Sequence, residues 1–269
     1  MTPRFPVLAT LAAFTSLAGA TELPDAAALE AGGYVIGEIR LEKADVFNLD
    51  DPEENNWLFR AANRYHVVTR DSTIQKQLLF APGDLYDQRV IDETERLLRA
   101  NKYLYEANVE VTNVADGKAD LTVHTKDVWS LIPEFSVSRT GGETRTRFGL
   151  KESNLLGRGQ SLRVLRDNDV DREENTIEYF DQRVGNNWWS LLARYSDNSD
   201  GHSHGLTFMR PFYALDTRWA GGGSVWQDDR QTRLYQFGEE TAEYRHEREF
   251  AYLFGGWSRG LVDGKARRW

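Results

Sequence analysis

The chain contains no cysteine in 269 residues, so no disulfide framework can hold it together. After the first twenty residues it also lacks an uninterrupted apolar run of the roughly 20 residues that a membrane-spanning helix needs. These two absences exclude disulfide-stapled scaffolds and helical membrane proteins. The formal net charge of -9 leaves no excess of positive charge, which argues against a nucleic-acid partner.

The first twenty residues predict an export signal. Arg4 supplies a positive charge, Val7 to Leu17 form a short apolar stretch, and Ala18-Gly19-Ala20 offers small residues for cleavage before Thr21. The apolar stretch is about half as long as a spanning helix, so a membrane anchor is the weaker alternative. We therefore expect a mature chain that starts at Thr21, with residues 21–33 as a linker.

Residues 34–127 carry the pattern of one small α+β module. A half-buried strand from Tyr34 to Leu41 precedes a short helix, and Asp87 to Asn101 place apolar residues at helical spacing. Two more strands, Ala107 to Thr112 and Ala119 to Lys126, are separated by an Asp-Gly turn. The predicted order is strand, helix, helix, strand, strand.

From residue 128 to residue 269, alternation with a period of two replaces helical periodicity, and turn-rich clusters separate the alternating segments. The polar face of these segments carries many Arg, Lys, Glu and Ser residues. Such a face suits the wet lumen of a transmembrane barrel better than the surface of a β-sandwich, which remains the alternative. Strand and turn lengths in such barrels predict about ten strands here.

Several strings resemble a known family. Leu79 to Asp87 and Glu93 to Arg99 resemble a POTRA domain, while Asp127 to Pro133 and Glu152 to Gln160 resemble the first barrel hairpin of BamA/TamA-type outer-membrane assembly factors, also called bacterial surface antigens. The resemblance implies a mainly β fold. It consists of a small α+β POTRA module (βααββ) followed by an antiparallel transmembrane β-barrel.

The chain departs from that family in two ways. Family members usually carry several POTRA domains and a sixteen-stranded barrel with a Val-Arg-Gly-Phe motif late in the sequence, whereas the nearest string here is Ser258-Arg259-Gly260-Leu261. We therefore expect a truncated barrel. Because unpaired strand edges in lipid cost several kcal/mol per unsatisfied group, an open sheet should not insert stably by itself.

The resemblance implies a place in the outer membrane of a Gram-negative bacterium, with the POTRA module in the periplasm, and a function in assembling, inserting or exporting proteins. The implied partners are unfolded outer-membrane or secreted proteins, outer-membrane lipid and other assembly subunits. The family topology exposes one edge of the POTRA sheet, which could take up an extended client by β-augmentation. This edge comprises Asn108, Val109, Glu110, Val111 and Thr112.

The resemblance also makes the first barrel strand a lateral edge for nascent client strands. This strand comprises Ser130, Leu131, Ile132, Pro133, Glu134, Phe135, Ser136, Val137 and Ser138. Pro133 should weaken the edge, because proline lacks a backbone N–H. Both segments can also be ordinary edge strands without a function in binding, since every open sheet has edge strands. Two other functions stay open: a passive outer-membrane pore or transport protein, and a lipid-modifying or proteolytic barrel enzyme.

Two constellations could bind a metal, and both have a simpler interpretation. Asp167 to Asp171 with Glu178 match part of an EF-hand loop, but Arg172 stands where the loop needs glycine, which favours a solvated loop. His202 and His204 share a strand face without a third ligand or an orienting acid at a defined spacing.

The remaining candidates are weaker. The other histidines, His66, His124 and His246, stand alone in the sequence and are expected to be ordinary surface or strand residues. Gly157-Arg158-Gly159 lacks the third glycine of a phosphate-binding loop. The sequence therefore predicts no catalytic residue, no cofactor and no metal site, and its expected chemistry is binding.

Overall fold

The structure, a computed structural model, describes residues 23–140, 143–169 and 171–269. The export signal expected in residues 1–20 lies outside these ranges. The described residues form a three-stranded sheet covered by short helices and a separate nine-stranded sheet. No helix in these ranges is long and apolar enough to cross a membrane.

The first module is built around a central strand. Its helices are α1 (Ala26–Ala31), α2 (Trp57–Tyr65), α3 (Asp71–Gln75) and α4 (Gln88–Arg99), and its strands are β1 (Val35–Ala44), β2 (Leu104–Ala115) and β3 (Lys118–Asp127). Strand β3 runs parallel to β1 and antiparallel to β2, so β1 and β2 form the two edges of the sheet. The predicted order of strands and helices is found, with α1 and α2 as additional helices.

Helices α1, α3 and α4 contribute buried side chains to the core of this module. Ile91 and Leu98 of α4 are buried against Leu121 and Val123 of the central strand, as the helical spacing predicts. Helix α1 also contributes, because Leu29 is fully buried in the same core. The described part of the expected linker is thus packed against the module.

The second module is an antiparallel meander. Its strands are β4 (Leu131–Thr140), β5 (Glu143–Glu152), β6 (Gln160–Asn168), β7 (Glu173–Asp181), β8 (Ser190–Asn198), β9 (Gly201–Arg210), β10 (Trp219–Gln236), β11 (Glu239–Val262) and β12 (Lys265–Arg268). Each strand pairs with its neighbours in sequence, and the sheet stays open with β4 and β12 at its edges. Nine strands form where about ten were expected, since β10 and β11 have 18 and 24 residues.

The register of the nine-stranded sheet separates apolar from polar side chains. Phe135 lies opposite Phe148, and Val164 lies opposite Ile177, on a face where all four side chains are exposed. The opposite face carries ion pairs such as Arg163–Glu134 at 2.5 Å. An exposed apolar face backed by a polar face is typical of a transmembrane barrel wall. The described residues form no second sheet against it, so the β-sandwich alternative is wrong.

Candidate functional site

The predicted edge from Asn108 to Thr112 lies on β2, whose outer side pairs with no strand in the described residues. The backbone N–H of Val109 donates to a side chain outside the sheet. Since successive residues of an antiparallel strand face opposite edges, Val109 and Val111 turn their backbone groups outward, while Asn108 and Glu110 bond to β3. The last residue of the range falls in a register shift. Only part of the predicted set can therefore pair with another strand.

Helix α4 caps part of this edge with two side chains. The Oε1 atom of Glu95 accepts the N–H of Val109 at 2.8 Å, and Nη1 of Arg99 donates to the carbonyl of Ala107 at 3.0 Å. Glu95 and Arg99 also pair with each other at 3.1 Å. An incoming strand would make the same two backbone bonds. The sequence does not reveal this cap, because helical spacing shows which face a residue lies on but not which strand edge lies beside that face.

The first strand of the large sheet, β4, presents the second free edge. The carbonyl of Ser130 accepts the N–H of Ser153 at 3.1 Å, which places the even-numbered residues of β4 in the ladder with β5. Pro133 therefore faces outward. Its missing N–H therefore breaks no hydrogen bond within the sheet, and it leaves the free edge one donor short. Proline is tolerated in strands at such outward-facing edge positions.

The two modules meet at the turn before β6. The carbonyl of Gly157 accepts the backbone N–H of Arg70 at 2.9 Å and the hydroxyl of Thr73 at 2.8 Å. Gly157 has a φ of +72°, and a Cβ there would lie 2.5 Å from the carbonyl oxygen of Val68. Only glycine fits this close approach. The Gly-Arg-Gly string thus serves to dock the modules, a role that the sequence did not reveal.

A buried polar cluster lies beside this turn. The Oδ2 atom of Asp127 accepts the backbone N–H of Thr69 at 2.7 Å and its hydroxyl at 2.9 Å, and it lies 2.9 Å from Nε2 of His66. Asn154 donates to the Thr69 hydroxyl at 2.8 Å, which links the cluster to the large sheet. The expectation that His66 is an ordinary surface residue is wrong, since its side chain is 2% exposed.

A second contact joins α4 to the connection between β9 and β10. Arg89 pairs with Asp216 at 2.8 Å, and Glu93 accepts the backbone N–H of Leu215 at 3.3 Å. The hydrogen bond from Arg96 lowers the pKa of Glu93, despite an opposing effect of burial. The first module is therefore held at two separate turns of the sheet.

The metal candidates do not gather into sites. Asp167 occupies the first position of the partial EF-hand match. Its carboxylate accepts hydrogen bonds from Arg145 and Arg147. The rings of His202 and His204 stack 6.1 Å apart. Within the described ranges, no three His, Cys, Asp or Glu side chains are close enough to hold a metal ion.

Comparison with known proteins identifies the first module. Residues 66–127 match the family model described as POTRA, surface antigen variable number repeat. This match confirms the predicted resemblance to a POTRA domain over α3, α4, β2 and β3. No curated protein matches the chain.

Two solved structures are similar at low identity. BamA from Haemophilus ducreyi, lacking POTRA domains 1–3, is 14% identical with a TM-score of 0.48, over 84% of this chain and 45% of that one. CdiB from Acinetobacter baumannii is 13% identical with a TM-score of 0.48, over 88% of this chain and 51% of that one. The chain thus spans about half the length of the solved chains that it matches.

Proposed function

We propose, from the premise that residues 66–127 form a POTRA domain, that the chain takes part in the assembly, insertion or export of proteins at the bacterial outer membrane. Its clients are unfolded outer-membrane or secreted proteins. They bind as extended strands by β-augmentation, and the POTRA module lies in the periplasm. The nine-stranded sheet sits in the membrane with its apolar face toward lipid.

The observation that carries this proposal is that both sheets leave edge strands unpaired in the described residues: β1 and β2 in the first module, β4 and β12 in the second. The proposal assigns clients to β2 and β4. Strand β2 ends the POTRA sheet, and β4 ends the membrane sheet. A backbone edge exposed to lipid costs several kcal/mol per unsatisfied group, so β4 gains much by pairing with another strand. The missing donor at Pro133 keeps that pairing weaker and therefore easier to exchange.

The edge of β2 is only partly open to a client strand. The outward N–H of Val109 and the carbonyl of Ala107 are already bonded to α4, whereas the outward groups of Val111 lie beyond these caps. A client strand therefore docks first beside Val111. It extends toward Ala107 only when Glu95 and Arg99 give way.

Cysteine cross-linking tests both edges without background, because the chain has no cysteine. Single-cysteine variants Glu110→Cys and Ser136→Cys place a thiol on β2 and β4, and Arg40→Cys places one on the opposite edge of the POTRA sheet. Each full-length variant is incubated in detergent with an unfolded barrel-strand peptide that carries one cysteine. We expect disulfide adducts at residues 110 and 136 and few at residue 40, because the proposal assigns clients to β2 and β4 and not to β1, the other edge of the POTRA sheet.

Three results separate the alternatives. The cysteine is moved along the peptide one position at a time. An adduct yield that alternates with a period of two supports strand pairing, since alternate side chains of a strand share a face. Equal yields at all three sites would mean nonspecific contact and would overturn the augmentation proposal. Ion conductance in planar bilayers together with an absence of adducts would favour a passive pore.

A further inference from the structure

A cavity of about 310 Å³ lies where α3 of the POTRA module meets two turns of the large sheet. The turns are Leu155–Gly157, before β6, and Val184–Asn186, between β7 and β8. Four cationic side chains line the cavity, together with the single carboxylate of Asp181; the cations are Arg70, Lys76, Arg158 and Arg183. They come from three separate stretches of the sequence.

The positive charge of this cavity is not balanced by the protein. Asp181 supplies one negative charge against four positive ones, and its two oxygens accept the side-chain amide of Gln160 and the backbone N–H of Arg183, each at 2.8 Å. In the part of the chain that the structure describes, none of the four cations has a carboxylate partner within 4.0 Å. Arginines of the polar sheet face, such as Arg147 and Arg163, do pair with carboxylates.

Arg183 is the most confined of the four cations. Its guanidinium carbon lies 3.1 Å from the centre of the Trp188 ring, which stacks at 3.9 Å on Tyr213. Its Nε atom is buried without a hydrogen-bond partner in the described ranges. Burial lowers the pKa of Arg183 to about 9, so the group is still cationic at neutral pH. Arg183 is half-buried, and a cation partly withdrawn from water without a counterion is unfavourable unless a ligand compensates it.

We propose that this cavity binds a phosphoryl group. Guanidinium groups match phosphate oxygens with forked hydrogen bonds, and cations that converge from different elements suit a tetrahedral anion better than a planar carboxylate. The hydroxyl of Ser72 adds a neutral donor in the wall. The volume exceeds that of a bare phosphate ion, so the cavity has room for the group to which the phosphate is attached.

The location indicates two sources of such a group. The ring of Trp189 stacks on Phe208 at 4.6 Å and lies 5.9 Å from Trp219, close to the turn that carries Arg183. Aromatic clusters of this kind mark the membrane–water interface of barrels, the level at which lipid phosphates lie. A phospholipid headgroup and a free phosphate of the periplasm share the required chemistry.

Calorimetric titration of the full chain in a nonionic detergent distinguishes the sources. The two probes are inorganic phosphate and dihexanoyl phosphatidylglycerol, used below its micelle concentration. We expect saturable binding of at least one probe, weakened about tenfold by Arg158→Gln or Lys76→Gln, since each removes one charge-assisted hydrogen bond. The control Arg267→Gln removes an exposed arginine elsewhere and should leave the affinity unchanged.

Each result decides one point. Tighter binding of the lipid assigns the site to a headgroup, and equal or tighter binding of inorganic phosphate assigns it to a free phosphate. Failure of both probes to bind would overturn the proposal. Binding that Arg158→Gln and Lys76→Gln leave unaltered, in variants with an unchanged circular dichroism spectrum, would overturn it as well.

Discussion

At the scale of single residues, Gly157 shows how a missing side chain can fix two modules together. We expect Gly157→Ala to separate the POTRA module from the sheet, because its Cβ would lie 2.5 Å from the carbonyl oxygen of Val68. Spin labels on Glu106→Cys and Asn168→Cys would report the change. Electron–electron distance measurements should show one narrow distribution in the parent and a broad one in the variant.

A second glycine provides the matched control. Gly185 occupies the corresponding turn between β7 and β8 with a φ of +63°, and a Cβ there would meet nothing closer than 3.8 Å. Gly185→Ala carries the same cost of about 1 kcal/mol for an L-residue in the left-handed region, but it should leave the distance distribution narrow. If both variants broaden it equally, backbone strain and not docking is responsible.

Asp127 is the second residue on which the junction depends. Asp127→Ala removes the acceptor of the Thr69 N–H and hydroxyl and the partner of His66, all in a buried site. Leaving such groups unsatisfied should destabilise this region by about 3 kcal/mol. Hydrogen exchange of the backbone around residues 66–75, followed by mass spectrometry, measures the local opening.

Two further variants calibrate that prediction. Asp127→Asn keeps one oxygen for the N–H of Thr69, so it should speed exchange less than Asp127→Ala does. Asp45→Ala removes an exposed carboxylate from the same module and should have no effect. Identical exchange in all of these variants and the parent would show that the buried cluster does not stabilise the junction.

At the scale of the elements, α4 caps part of the edge of β2, which the proposed function assigns to client strands. Glu95→Ala frees the N–H of Val109, so a client strand no longer has to displace the carboxylate. We expect the affinity for an extended client peptide to rise about tenfold, the equivalent of one charge-assisted hydrogen bond. Fluorescence anisotropy of a labelled peptide measures it.

The same helix offers a control for this change. Asp92 lies on α4 and bonds to Gln88, away from β2. Asp92→Ala should alter the stability of the helix slightly and leave the affinity for the peptide unchanged. A weaker or unaltered affinity of Glu95→Ala would contradict the role of Glu95 as a cap that clients must displace.

At the scale of the whole molecule, the two faces of the large sheet should respond differently to charge. Phe135 and Ser136 are adjacent in β4, both exposed, and they lie on the apolar and the polar face respectively. Phe135→Glu places a carboxylate toward lipid and should cost about 2 kcal/mol on insertion. Ser136→Glu faces Arg147 across the strand pair and should cost little.

Partition into phospholipid vesicles measures this difference. Tryptophan fluorescence follows the fraction of chain that is inserted at increasing urea concentration, since seven of the eight tryptophans lie in residues 128–269. Equal effects of the two substitutions would mean that the apolar face does not contact lipid. That result would also remove the argument that the cavity lies at the level of lipid phosphates.

The sequence by itself determined the features that repeat over short distances. The helical spacing of Ile91 and Leu98 predicts α4, and the Asp-Gly between Ala115 and Lys118 predicts the β2–β3 hairpin, because a local turn and a local periodicity suffice for both. Alternation along β4 likewise predicts its two faces. The resemblance in the first module is a string of such local features, and the family match confirms it.

Only the tertiary structure decided what those elements do to one another. His66 lies 61 positions from Asp127, and Arg70 lies 88 from Arg158, so no spacing in the sequence links either pair. The capping of β2 by Glu95 depends on how α4 lies across the sheet. Strand register and helix docking depend on packing between residues far apart in the sequence, which no local pattern contains. They therefore decide which backbone groups of an edge strand are free and where cationic side chains come together.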